Sequence, residues 1–291
     1  MRPLIPGRTA ALFATTLLLL VASAAFAANP PAAKNSDDAA RLQVIAEILD
    51  ISGVRRALES IPAQIDEEMA NPDGEYRKVP EEQREQLRDL MLEAFAPDRL
   101  MVDMKQTLVD NYRPAVYEAV RARLNSPQGR RLTELEAQLT VADIDERLRE
   151  YAATLEAAPP SAKRRKLIAE LDKAALTTET ILDLSVASFG AVALTAREEK
   201  MPLDEKALKK SLTKIRTRLR PAITDHASLM LLYVHRDATD QDVQGFVRFY
   251  QDKNMAVMSG IVRKGFGRAM NGAFQQMLKK ARNIRGDGVR T

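Results

Sequence analysis

The residues able to do chemistry are few. The chain of 291 residues has no cysteine, so it holds no thiol nucleophile, disulfide, zinc finger or iron–sulfur ligand set. Its two histidines, His226 and His235, stand nine positions apart. That spacing does not put them within a turn of each other on one helix face, as a metal pair at i, i+4 requires. His235-Arg236-Asp237 has the residue order of a protein-kinase catalytic loop. A glycine-rich loop, a Val-Ala-Ile-Lys strand, an Asp-Phe-Gly and the Asn five residues on are all missing, so the match is read as chance. Ser259 lacks the Gly-x-Ser-x-Gly elbow, and Gly265-Phe266-Gly267 lacks the strand and third glycine of a dinucleotide fingerprint. Gly260, Gly265 and Ala269 instead suit close approach of a neighbouring helix. Glu67 with Glu68, and Asp143 with Asp145, are carboxylate pairs close in sequence, whereas a glycosidase needs two carboxylates facing each other across a cleft. At these positions a solvated helix face is the simpler reading. The expectation is no catalytic residue, no metal and no cofactor.

The binding candidates are basic and methionine-rich. Lys206, Lys209, Lys210 and Lys214 share one segment with Arg216, Arg218 and Arg220. Arg263, Lys264 and Arg268 carry the same charge onto the last segment. Together they could meet an anionic lipid surface or envelope polymer. The last segment also repeats large apolar residues: Tyr250, Met258, Ile261 and Phe266, then Met270, Phe274 and Met277. Methionine adapts to irregular apolar surfaces, so this row is either core filling or an apolar groove.

Helical periodicity runs through everything that must position these residues. Leu42, Ile45, Ile48 and Leu49, then Val54, Leu58, Ile61 and Ile65, follow a three-to-four spacing. Pro80, Pro97 and Pro127 suit first helical turns, and Pro114 marks a kink or break. Ser126 suits an N-cap, and Thr239 with Asp242 suits a capping box. Leu167 to Phe189 reads as one helix, as does the run from Val243 to Met277, while Pro202 breaks and Pro221 kinks what lies between. No alternation of period two appears, so the fold class expected is all-α, in two tandem helical lobes. The first lobe is placed at 37–158 and the second at 163–283, with a linker at 159–162 around Pro159-Pro160-Ser161. Residues 284–291 are expected to fray.

The first 27 residues read as a secretory signal peptide. Arg2 and Arg8 precede an apolar stretch from Ala10 to Ala22, and Ala25-Phe26-Ala27 supplies the small-x-small cleavage pattern. Cleavage after Ala27 is expected, the alternative being an uncleaved anchor. Residues 28–36 then form a disordered lead-in, and the protein is periplasmic. Loss of the two arginines lowers the net charge from +4 to +2. An exported, nearly neutral chain is not expected to bind nucleic acid. Charge is nonetheless uneven: residues 28–95 carry a net −7 and residues 263–291 a net +7. The two ends either complement one another or leave a basic surface exposed.

Ile48-Leu49-Asp50-Ile51-Ser52 recurs as Ile181-Leu182-Asp183-Leu184-Ser185, 133 positions on. Val116, Val120 and Arg121 recur as Val243, Val247 and Arg248, 127 positions on. Both suggest a diverged tandem repeat. Leu49-Asp50-Ile51-Ser52-Gly53, Ser126-Pro127-Gln128-Gly129-Arg130 and Arg248-Phe249-Tyr250 resemble motifs of the bacterial domain-of-unknown-function family 2059, exported helical proteins. Leu124 stands where the family's aromatic is expected, and Asp252 to Met255 replace its Ser-Pro-x-Gly. The resemblance implies an exported helical protein and no known activity.

The function expected is therefore a non-enzymatic envelope interaction or assembly factor whose helical groove takes a peptide, partner helix or acyl chain. The alternative is peripheral binding of anionic lipid or polymer, and a hydrolase with a carboxylate pair comes third.

Overall fold

Residues 36–71, 80–195 and 205–287 are described in a computed structural model, and every regular element among them is helical. The signal peptide, residues 28–35, Pro202 and residues 288–291 lie outside them. The first half contains α1 (Ser36–Ile51), α2 (Val54–Ala70), α3 (Glu81–Ala94), α4 (Pro97–Asp110), α5 (Pro114–Leu124) and α6 (Pro127–Glu136). A 3-10 turn (Ala137–Thr140) and α7 (Ile144–Ala157) complete it. The second half contains α8 (Ala162–Ala175), α9 (Thr177–Thr195), α10 (Glu205–Val234), α11 (Asp240–Gln251) and α12 (Lys253–Asp287).

Local signals set most boundaries. Pro97, Pro114 and Pro127 each occupy a first helical turn, where the missing N–H costs nothing. Ser126 Oγ accepts the Gly129 N–H at 3.1 Å, and Thr239 with Asp242 forms a reciprocal capping box. Gly129 itself is dictated by packing. A Cβ there would stand 2.5 Å from the Arg123 carbonyl oxygen and closer still to that of Leu124, so α6 leaves α5 too tightly for any side chain.

Two boundaries differ from the periodicity. The run from Leu167 to Phe189 is split by Leu176, which adopts the left-handed conformation at φ 62°. The Asp172 carboxylate takes the Thr178 N–H and hydroxyl at 2.7 Å each and so starts α9. Likewise Asp252 interrupts the run from Val243 to Met277, its Oδ1 accepting the Asn254 N–H at 2.9 Å to cap α12. At the other end α12 runs on to Asp287, past Ile284, where fraying was expected.

Pro159 and Pro160 do fall in the break between α7 and α8, but the halves do not have separate cores. One buried cluster joins α1 to α5 with residues of α8 to α12. The last helix of each half packs on the other half. From the first, Ile144 and Leu148 of α7 lie with Met230, Tyr233 and Val234 of α10. The rings of Tyr151 and Tyr233 meet edge to face at 5.5 Å. From the second, α12 packs along α4, α3 and α5, with Phe274 edge to face on Phe95 at 5.1 Å. Two tandem lobes is thus a reading of chain order, and the packing is interlocked.

The internal order repeats in the contacts. α1 packs on α5 as α8 packs on α11, and α2 packs on α3 and α4 as α9 packs on α10. Gly53, at φ 70°, precedes α2 as Leu176 precedes α9. In this correspondence Val116 and Val243 match, both lying one turn into α5 and α11. Ile48 and Ile181 do not, because one ends a first helix and the other lies within a second.

Candidate functional site

The apolar face of α12 is the first place to look for a groove, and it is occupied. Tyr250, Met258, Ile261, Phe266, Met270 and Phe274 are all buried, and Met277 is half-buried against the same cluster. α4 fills the space in front of the α12 residues, with Met104 beneath Gly265 at 2.8 Å from where a Cβ would lie. These seven residues are core, not an open groove. The physical reason is that a helix as long as α12, with a continuous apolar stripe, buries it wherever another helix can reach.

The open site lies on another side of α12, between it, α9 and α10. A cleft of about 660 Å³ is walled by Val186 and Ala187 of α9 and by Leu208 and Leu212 of α10. Its α12 wall presents Gly260, Lys264, Gly267, Asn271 and Gln275. A smaller hollow of about 270 Å³ shares Val186, Leu208, Leu212 and Arg216 and reaches Lys209 and Thr213. A Cβ built at Gly260 or Gly267 would meet nothing within 4 Å, so no described residue covers this face of α12.

An ion-pair clamp holds the three helices around the cleft. Asp183 of α9 accepts Arg216 Nη1 at 2.5 Å from α10 and Arg263 Nε at 2.6 Å from α12. Glu179, one turn earlier, accepts Arg216 and also Arg220, the latter at 2.5 Å. The Arg220 hydrogen bond, joined by that of Arg216, holds the Glu179 carboxyl below its usual range despite burial. Burial pulls the Arg216 guanidinium down, but its bonds to Asp183 and Glu179 outweigh this and keep it firmly charged.

The ten basic candidates therefore separate into groups. Arg216, Arg220 and Arg263 are structural clamps, while Lys264 lines the cleft exposed and Lys209 edges the smaller hollow. Arg268 turns the other way, to Asp103 at 3.3 Å and Asp110 at 3.6 Å on α4. Lys206, Lys210, Lys214 and Arg218 are exposed on α10. Of the opposed end charges, Lys280 pairs with Glu93, which joins the basic end to the acidic one.

The chemical candidates fall elsewhere. His235 is completely buried in the turn after α10, its ring 5.2 Å from that of Phe246, and neither ring nitrogen has a hydrogen-bond partner. Desolvation, with Arg164 nearby, pushes it down to about 3. Ser259 is buried and Asp143 pairs with Arg147. Glu136, unremarked in the sequence, is buried with Oε1 accepting the Tyr250 hydroxyl at 2.7 Å and Oε2 unpartnered. Burial raises its pKa well above the usual carboxylate range, against the Tyr250 hydrogen bond. No carboxylate is among the groups that shift it. Among the described residues no three His, Asp or Glu side chains gather as a metal site, and no helix is long and apolar enough to cross a membrane.

The cleft was missed because its walls come from three segments. Leu208 and Leu212 were visible as the apolar side of a basic helix. Gly260 was expected under a neighbouring helix with Gly265 and Ala269, but only the latter two are packed, because they face α4 and the core while Gly260 lies on the cleft side. In comparisons with known proteins, the chain matches no family profile, no curated protein and no solved structure.

Proposed function

We propose that the mature chain begins at Ala28 in a bacterial periplasm and acts there without catalysis, as an envelope interaction or assembly factor. It binds a peptide, partner helix or acyl chain in the α9–α10–α12 cleft. Kinship with the exported family 2059 is part of the same proposal and is carried by the short motifs alone. The observation supporting the binding reading is the cleft: apolar walls beside helix surface that no described residue covers, with cations on its margin.

Native mass spectrometry of the protein taken from periplasm tests it. The expected spectrum has a polypeptide mass of Ala28–Thr291 with a bound adduct. The adduct should disappear in Gly260→Leu/Gly267→Leu, whose side chains fill the cleft. A clean mass, or an adduct kept equally by the filled variant, overturns the cleft reading. A mass that includes residues 1–27 overturns the cleavage.

A second reading has its own support. Lys206, Lys210, Lys214 and Arg218 are exposed on α10 with no carboxylate partner among the described residues. Such a row suits anionic lipid or polymer, with binding that collapses as salt rises. Sedimentation with phosphatidylglycerol vesicles at rising salt distinguishes it, since apolar insertion into the cleft would persist.

A further inference from the structure

We infer that the occupant of the cleft is an acidic amphipathic helix of a partner polypeptide, an inference that rests on the cleft-binding reading above and narrows it. Charge comes first. Among the described lining residues of the cleft and its adjoining hollow, Arg216, Arg263, Lys264 and Lys209 stand against a single carboxylate, Asp183. Arg216 and Arg263 already share Asp183, so Lys264 and Lys209 are the cations left to meet a ligand. A partner of the opposite sign is favoured.

Lining chemistry comes second. The apolar strip of Val186, Leu208 and Leu212 faces a wall that carries Asn271, Gln275 and Lys264. An acyl chain leaves such a wall unsatisfied, whereas an amphipathic helix matches it, apolar ridge to apolar strip and polar flank to polar wall. Backbone shape comes third. Gly260 and Gly267 lie two turns apart inside α12, where glycine costs helix stability, and none of the described residues packs over them. Between them Gly265 is packed by Met104 on the opposite side, so the fold accounts for one glycine and leaves two for an outside helix to approach. From Gly260 to Gln275 the wall is about 22 Å long at 1.5 Å per residue, which a helix of about four turns covers.

The test uses full-length mature protein and fluorescence anisotropy with three labelled probes. One is a four-turn peptide with leucines at helical spacing and glutamates on its flanks. The second has lysines in place of the glutamates, and the third is pyrene-dodecanoic acid. The acidic peptide should bind saturably and at least tenfold more tightly than the basic one. Binding should fall about tenfold in Lys209→Glu/Lys264→Glu and be lost in Gly260→Leu/Gly267→Leu, with circular dichroism confirming that each variant folds. Equal binding of the two peptides, or binding unchanged in both variants, overturns the inference. If only the pyrene acid binds, and the filled variant rejects it, the helical occupant is wrong and the cleft reading stands. If no probe binds, both fall.

Discussion

Replacing His235 with leucine should remove much of the acid sensitivity of the fold. The imidazole has no exposed surface, and neither nitrogen is hydrogen-bonded. Arg164 lies against it and donates to its backbone carbonyl. Burial and that cation push the pKa from 6.5 down to about 3. The unfolded chain therefore takes up the proton first. Stability contributed by the neutral ring is complete above about pH 6.5 and is lost as pH falls toward 3. At pH 5 the linkage amounts to about 2 kcal/mol, roughly 1 M in a urea midpoint. Leucine nearly matches the volume and removes two unsatisfied polar atoms, so at pH 7.5 the variant should lie within about 1.5 kcal/mol of the parent. Urea titrations of both proteins at pH 7.5 and pH 5 isolate the effect, because every other titrating group, Glu136 included, is common to both. If the variant loses as much stability as the parent between the two pH values, the argument fails.

Glu136 works in the opposite direction. Its raised pKa makes the folded state hold the proton, so the parent should lose stability as pH rises above the ordinary carboxylate value, and Glu136→Gln, which keeps the acceptor for Tyr250, should flatten that loss in thermal melts from pH 4 to 9. Alanine at Gly260 or Gly267 should stabilise by about 0.5–1 kcal/mol each in urea titrations, whereas Gly265→Ala should gain less or destabilise because Met104 must move. Gly129→Ala should cost about 1–3 kcal/mol by the same assay, since its neighbours are backbone carbonyls that cannot rotate away.

What could be read from the sequence was local. Pro97 and Pro127 in first turns, the Ser126 cap and the Thr239–Asp242 box each act within three or four residues and stand where their chemistry placed them, whereas Pro80 stops one residue short, as the N-cap of α3. Helical periodicity likewise yielded an all-α fold. The stop at Leu176 was not legible, because it depends on an Asp172 cap reaching six residues ahead and on a leucine held in a glycine-like conformation. Nor does periodicity say what covers an apolar face. The stripe on α12 reads the same whether it is groove or core, and the helix that covers it, α4, lies some 150 residues earlier. The cleft was hidden for the complementary reason. Gly260 signalled only that a helix could come close, not that the place is open, and the short apolar strips carry little signal until three helices are brought together.

The exchange of final helices limits how function can be divided along the chain. α12 cannot lie on a membrane by its apolar face, because Phe266, Met270 and Phe274 are already buried in the shared core. Among the described residues, the row of exposed cations without a carboxylate partner that suits an anionic surface lies on α10. The same exchange predicts that cutting at Pro159 leaves two unfolded pieces. Residues 163–287 alone would expose those three side chains, and residues 37–158 alone would expose Ile144 and Leu148 of α7. Uncovering a large apolar side chain costs about 1.5–3 kcal/mol, so the first piece forfeits roughly 5–9 kcal/mol. That is the whole stability of an ordinary domain, about 5–15 kcal/mol. Circular dichroism should find each piece without a cooperative thermal transition, and an equimolar mixture should regain both helicity and the transition. A cooperative transition in either piece alone would show two self-sufficient lobes and refute the interlocked core.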